Sequence, residues 1–228
     1  MIQNFSKNQI ATAVAILFHT TGLIGILIFK NEIILHSTPA NLLLSLVLLI
    51  WTQQEKNTAF FLFIVFVFAL GFAAEVTGVH TTYLFGSYSY GDTLGPQWKQ
   101  VPIIIGINWV LIIYCCGISV TALLQRITQA GIDIVQPSNT IKTLSVITDG
   151  ATLAVIFDWI MEPVAVKLNF WQWENDLIPL YNYLCWFFLS LLMMIFFHFS
   201  GFKKQNKFAV NLLLIQFLFF LILRTFIN

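Results

Sequence analysis

The run TAFFLFIVFVFALGFAAEVT, residues 58–77, decides the fold. It is apolar from end to end apart from its threonines and one acid, Glu75, near its C-terminal limit. About 20 such residues make a helix of about 30 Å, the thickness of a bilayer's hydrocarbon core. Working outward, five more runs share that character: Ile10–Phe29, Val101–Leu124, Leu144–Met161, Tyr183–Phe199 and Phe208–Phe226. A seventh, Pro39–Trp51, is short; it either extends backward through Ile33, Ile34 and Leu35 or is re-entrant. The expected fold is all-α, a polytopic integral membrane bundle of about seven transmembrane helices. No linker or low-complexity stretch divides residues 1–228, so a single domain is expected. The first run follows Lys7 but is long and lacks a small-residue cleavage site, which reads as a retained helix.

Composition agrees. The chain is 58% hydrophobic and only 9% charged, against about 25% charged residues in soluble domains. A net charge of +1 argues against nucleic acid as a partner. Cys115, Cys116 and Cys185 all fall in apolar runs and read as small buried residues, not as a disulfide framework. If all seven runs cross, Lys7, Lys56, Arg126, Lys142, Lys203, Lys204 and Lys207 share the N-terminal face, and Lys30, Lys99, Lys167 and Arg224 the other. Positive charge concentrates on the inner side of membranes, which predicts a cytoplasmic N-terminus.

The same arrangement brings two polar, aromatic segments to one face. Glu75–Pro102, EVTGVHTTYLFGSYSYGDTLGPQWKQVP, is too polar to cross a bilayer and too aromatic for an ordinary solvated loop. Its counterpart is Lys167–Tyr181, KLNFWQWENDLIPLY. The helix ending near Glu75 and the helix carrying Asp158 and Glu162 both approach this face at their C-terminal ends.

A carboxylate is costly in hydrocarbon, so intramembrane acids are functional candidates. Asp158 and Glu162 are four residues apart, about 40° on a helical wheel, and share a face. Asp149 lies nine residues before Asp158, about 180° away, in a different environment. Two acids in a poorly solvated site do not both ionise easily, which favours one that keeps its proton, a catalytic acid in waiting. Against this stands the simpler reading, that Glu75 and Glu162 reach interfacial water or hydrogen-bond neighbouring helices.

His19, His36, His80 and His198 form no pair at metal-ligand spacing, so no metal is expected. His80 alone is close enough in sequence to Glu75 to join a proton relay. Taken singly, each ring of Tyr83, Phe85, Tyr88, Tyr90, Trp98, Trp159, Trp171, Trp173, Tyr181 and Trp186 fits a headgroup belt. Their interleaving with Gly78, Gly86, Gly91 and Gly95 and with the acids favours a shaped pocket. Aromatic faces stabilise cations, and glycine lets backbone approach a ligand.

In combination, E-V-T-G from Glu75, F-G-S-Y-S-Y-G from Phe85, L-G-P from Leu94, V-P from Val101, and D-W-I-M-E-P-V-A from Asp158 followed by F-W-Q-W resemble the carotenoid biosynthesis membrane proteins that include the carotenoid 1,2-hydratases. The likeness spans Glu75 to Trp186. Two positions depart from the pattern: Glu162 in place of an aspartate before the proline, and Asn169 in place of a glycine before the aromatic pair. The resemblance implies cofactor-independent addition of water to the terminal C1=C2 bond of an acyclic carotene, giving a tertiary alcohol. It implies Glu75, Asp158 and Glu162 as the catalytic acids, one of Glu75 and Asp158 donating the proton while the other, with Glu162, positions and deprotonates the water. It also implies that His80, Tyr83, Phe85, Gly86, Tyr88, Tyr90, Trp109, Trp159, Trp171 and Trp173 contact the substrate. The partners it implies are a membrane-dissolved carotenoid, the bilayer itself and other carotenoid-pathway enzymes, and the place a bacterial cytoplasmic membrane.

Three rivals remain at this stage. A carotenoid cyclase starts with the same protonation and quenches the cation with an internal double bond. A proton-coupled transporter rests on the acids alone, without an inverted repeat. A scaffold binds carotenoid without turnover. A retinal pump is removed, since Phe208–Phe226 contains no Schiff-base lysine.

Overall fold

The computed structural model describes residues 5–129 and 138–227. Helix α1 (Lys7–Leu27) is followed by a short α2 (Glu32–His36), α3 (Thr38–Thr52) and α4 (Thr58–Thr81). Three small strands come next, β1 (Tyr88–Tyr90), β2 (Gln97–Trp98) and β3 (Val101–Pro102). Then follow α5 (Ile104–Gln129), α6 (Asn139–Lys167), β4 (Trp171–Trp173), α7 (Leu180–Phe199) and α8 (Lys207–Phe226). Six of the helices are long and apolar enough to cross a membrane, which fits an integral membrane protein built as an all-α bundle.

Several helices begin on a side chain that satisfies their free N–H groups. Ser6 and Gln9 form a reciprocal capping box on α1. Asn57 accepts from Phe60 N on α4, and Asn206 from Phe208 N and Ala209 N on α8. Within the helices, Thr52, Thr77, Thr121 and Thr152 return their hydroxyls to carbonyls one turn back, which satisfies those hydroxyls without water.

The short seventh run traverses the bundle. Pro39, at the start of α3, packs beside the Gly95 turn. At the other end, Leu49 O accepts from Asn206 Nδ2, and Gln53 Nε2 donates to Lys203 O. Residues 33–35 belong to the separate helix α2, which abuts α3 at Ser37; the 15 residues of α3 alone span about 22 Å. Arg126, Lys204 and Lys207 gather at one end of the bundle, and Lys30 and Lys167 at the other.

Helix α5 is the axis, packed against α3, α4, α6, α7 and α8. Every residue from Trp109 to Ile118 is buried, as befits a helix apolar all round. Helix α6 runs six residues past the predicted end at Met161, straight through Pro163. Proline offers no N–H to the carbonyl of residue 159. Arg224 on α8 supplies the missing donor: its Nη1 lies 2.7 Å from Trp159 O, and its guanidinium 4.2 Å from the Trp159 ring centroid.

Candidate functional site

The two aromatic segments meet as a ribbon. β1 and β4 pair antiparallel, with Tyr88 opposite Trp173, Ser89 opposite Gln172 and Tyr90 opposite Trp171. Gly91 N donates to Phe170 O and Glu174 N to Ser87 O, extending the pairing at both ends. Side chains alternate across a strand, so Tyr88, Tyr90, Trp171 and Trp173 share the face turned to the acids, while Ser89 is exposed. The turn entering β4 passes through Asn169, whose φ of 54° is left-handed, a conformation glycine and asparagine adopt most readily. That accounts for a residue other than glycine at this position.

Under the ribbon lie the three carboxyl groups, 5%, 0% and 2% exposed for Glu75, Asp158 and Glu162. Each acid lies inside its helix and not at the end, because α4 runs on to Thr81 and α6 to Lys167. Glu75 is saturated with donors. Its Oε2 accepts from the Tyr88 hydroxyl at 2.6 Å and the Tyr90 hydroxyl at 2.8 Å, and its Oε1 from Trp109 Nε1 at 2.9 Å. The Tyr88 hydroxyl comes so near α4 that a Cβ on Gly78 would sit 2.8 Å from it. Burial, and then the adjoining Glu75 carboxylate, push both phenols well above their usual range, so they stay protonated and donate.

Glu162 is held in the same manner from the other strand. Trp171 Nε1 and Trp173 Nε1 donate to its Oε2 at 3.0 and 2.8 Å, and Asn182 Nδ2 to its Oε1 at 3.2 Å. The same Asn182 Nδ2 lies 3.0 Å from Asp158 Oδ2. Asp158 Oδ1 has no partner, although it is buried. Of the six carboxyl oxygens in the set, it alone lacks a donor.

All three acids line one cavity of about 20 Å³. That is room for about one water molecule. Apart from the amides Asn108 and Asn182, the rest of the lining is apolar or aromatic, with Phe85, Ile105, Met161 and the parallel-stacked pair Trp109 and Trp186, whose ring centroids are 3.9 Å apart. Such a chamber can hold an acid, a water and a developing cation out of bulk solvent. Among the described residues, no three His, Cys, Asp or Glu side chains converge as a metal site.

Of the residues expected from sequence, Glu75, Asp158, Glu162, Phe85, Tyr88, Tyr90, Trp109, Trp171 and Trp173 come together here. His80 does not: it is exposed on α4, with Nδ1 2.9 Å from Val76 O. Tyr83 is 78% exposed and Trp159 51% exposed, the latter turned outward to Arg224. Gly86, with φ of 115°, packs on Pro179 and shapes the turn before β1 without lining the cavity. Asp149 is exposed and hydrogen-bonded within its own helix by Ser145 and Thr148, away from the acid set. Sequence reasoning missed Asn182 and Asn108, which both line the cavity. Each is an amide set among apolar residues, a signal of the same kind as an intramembrane acid.

No curated protein and no solved structure matches the chain. The profile of one family, described as carotenoid biosynthesis protein, matches residues 36–228, a range that contains every residue of the acid set and its ribbon, and the chain accordingly belongs to the carotenoid biosynthesis protein family.

Proposed function

We propose that the protein is a carotenoid 1,2-hydratase. The observation that carries this reading is the bare Asp158 Oδ1 in a water-sized chamber between two carboxyl groups already saturated with donors. Glu75 and Glu162 accept hydrogen bonds on both oxygens, an arrangement suited to carboxylates. Asp158 lines the cavity, and a proton on its Oδ1 has no hydrogen-bond partner within the fold.

The reaction follows from that asymmetry. Asp158 transfers its proton to C2 of the terminal C1=C2 bond, and the alkene's electron pair forms the new C–H bond. A tertiary cation remains at C1. The carboxylates of Glu75 and Glu162 and the faces of Tyr88, Trp173 and Trp109 stabilise it. Water attacks C1, and the proton it sheds passes to a neighbouring carboxylate and back to Asp158. The net change is addition of one water, with no electron donor or acceptor required. The hydrocarbon arrives from the bilayer and displaces the apolar lining of Phe85, Ile105 and Met161. The division of basic residues favours a cytoplasmic N-terminus in a bacterial inner membrane, where other enzymes of the pathway would hand on their lipid-dissolved products.

The test is incubation of membranes bearing the protein with lycopene or γ-carotene. A product heavier by one water is expected. An isomeric, ring-bearing product overturns the hydratase in favour of a cyclase, and no conversion with retained carotenoid binding favours a scaffold.

A further inference from the structure

A second cavity lies at the opposite end of the bundle, where α1 and α8 begin and α5 ends. Its volume is about 910 Å³. Helix α1 leans on α8 and α3, and the gap opens between it and the last three turns of α5. Ile16 and Ile118, the lining residues of α1 and α5 farthest from this end, are apolar; nearer it come Val210, Asn211, Gln9 and Gln125; at the rim stand Arg126, Lys204 and Lys207. No Asp or Glu is among the described lining residues.

Lys204 is the anchored member of the three cations. Its Nζ donates to Ser200 O at 2.7 Å and sits 4.8 Å from the Phe202 ring centroid, half-buried. That burial lowers its affinity for its proton. Arg126 and Lys207 are exposed.

We infer that this groove is a binding site for one anionic phospholipid, its phosphate held by Arg126, Lys204 and Lys207 and an acyl chain laid along Ile16 and Ile118. A single-sign cationic rim over an apolar gap is complementary to an amphiphile with a negative head. Basic pockets between transmembrane helices take such headgroups, with each cation worth roughly a fivefold change in affinity. The inference goes beyond the hydration chemistry and does not depend on it.

The test is titration of the full-length protein, purified in a neutral detergent, with phosphatidylglycerol, phosphatidylcholine or inorganic phosphate, read by native mass spectrometry and thermal unfolding. One phosphatidylglycerol is expected to bind at least about tenfold more tightly than phosphatidylcholine. The double variant Arg126→Gln, Lys207→Gln should lose most of that preference while melting like the wild type without lipid. Lys142→Gln removes one charge from the same end of the bundle outside the groove, and should bind within about twofold of the wild type. Equal binding of the two lipids overturns the inference. So does an equal loss in Lys142→Gln, which would mean diffuse surface charge, or a full stabilising shift from phosphate alone, which would mean a free-anion site.

Discussion

One amide nitrogen, Asn182 Nδ2, lies 3.0 Å from Asp158 Oδ2, and it reaches Glu162 Oε1 at 3.2 Å as well. A single side chain on α7 thus fixes two acids that stand one turn apart on α6. Their separation is set from outside their own helix. We class Asn182 as a positioning residue, because it leaves Asp158 Oδ1 free while holding Oδ2. Asn182→Ala removes a hydrogen bond to a charged group, worth about 1.5–3 kcal/mol. Hydration should fall roughly ten- to hundredfold in kcat with KM little changed. Wild-type kcat in this variant, measured by product formation, would remove the amide from the mechanism.

Asp158 carries the proton in the proposed reaction, so Asp158→Asn should lower turnover by at least about a hundredfold, the lower range of general acid catalysis. The variant keeps a side chain of the same shape, and its insertion and thermal unfolding should match the wild type. Glu75→Gln should also be impaired, because an amide offers no anionic charge to the cation. Wild-type-like product yields from both variants would sink the acid set as a whole.

The phenols give a pH prediction. Burial and the Glu75 carboxylate raise Tyr88 and Tyr90 above their usual value of 10.0. An acid whose folded-state pKa is raised stabilises the fold fully below its unfolded pKa, and that contribution is lost as pH climbs from there toward the folded value. Stability in detergent should therefore be independent of these two groups below about pH 10 and fall above it. The double variant Tyr88→Phe, Tyr90→Phe should show a shallower alkaline decline, read as unfolding temperature against pH. An unchanged slope would contradict the coupling.

Arg224 and Pro163 form a compensating pair. Arg224→Met strands the Trp159 carbonyl that Pro163 cannot serve, at a cost of about 1–3 kcal/mol. Pro163→Ala restores a backbone donor to that carbonyl, so in its background Arg224→Met should cost distinctly less. A double-mutant cycle of unfolding free energies measures the difference. Strict additivity would mean that Arg224 acts only through its contact with the Trp159 ring.

The six long helices were legible because a hydrocarbon-spanning helix writes its length and apolarity directly into consecutive residues. All six runs lie within them, save three residues ahead of α5 and two past the end of α1, and even the two segments destined to meet could be named from the shared end of α4 and α6. Asp158 and Glu162 on one face of α6 followed from helical spacing alone. Local patterning could not foresee that α6 passes through Pro163, because the donor that makes this tolerable sits on α8. It misplaced His80, Tyr83 and Trp159 for a related reason: an aromatic or histidine near the interface has the same local sequence whether it turns inward or toward lipid.

What the sequence determined by itself is the membrane bundle, the acids and the aromatic segments, since each depends on residue type at short range. Which acid oxygen is free was decided only by tertiary structure. That depends on Tyr88 and Tyr90 from one loop, Trp171 and Trp173 from another, Trp109 from α5 and Asn182 from α7, converging across 107 positions of chain from Glu75 to Asn182. Hydrogen bonds act over about 3 Å, so their assignment exists only once the helices have packed and the β1–β4 register has turned four aromatic side chains toward three carboxyl groups.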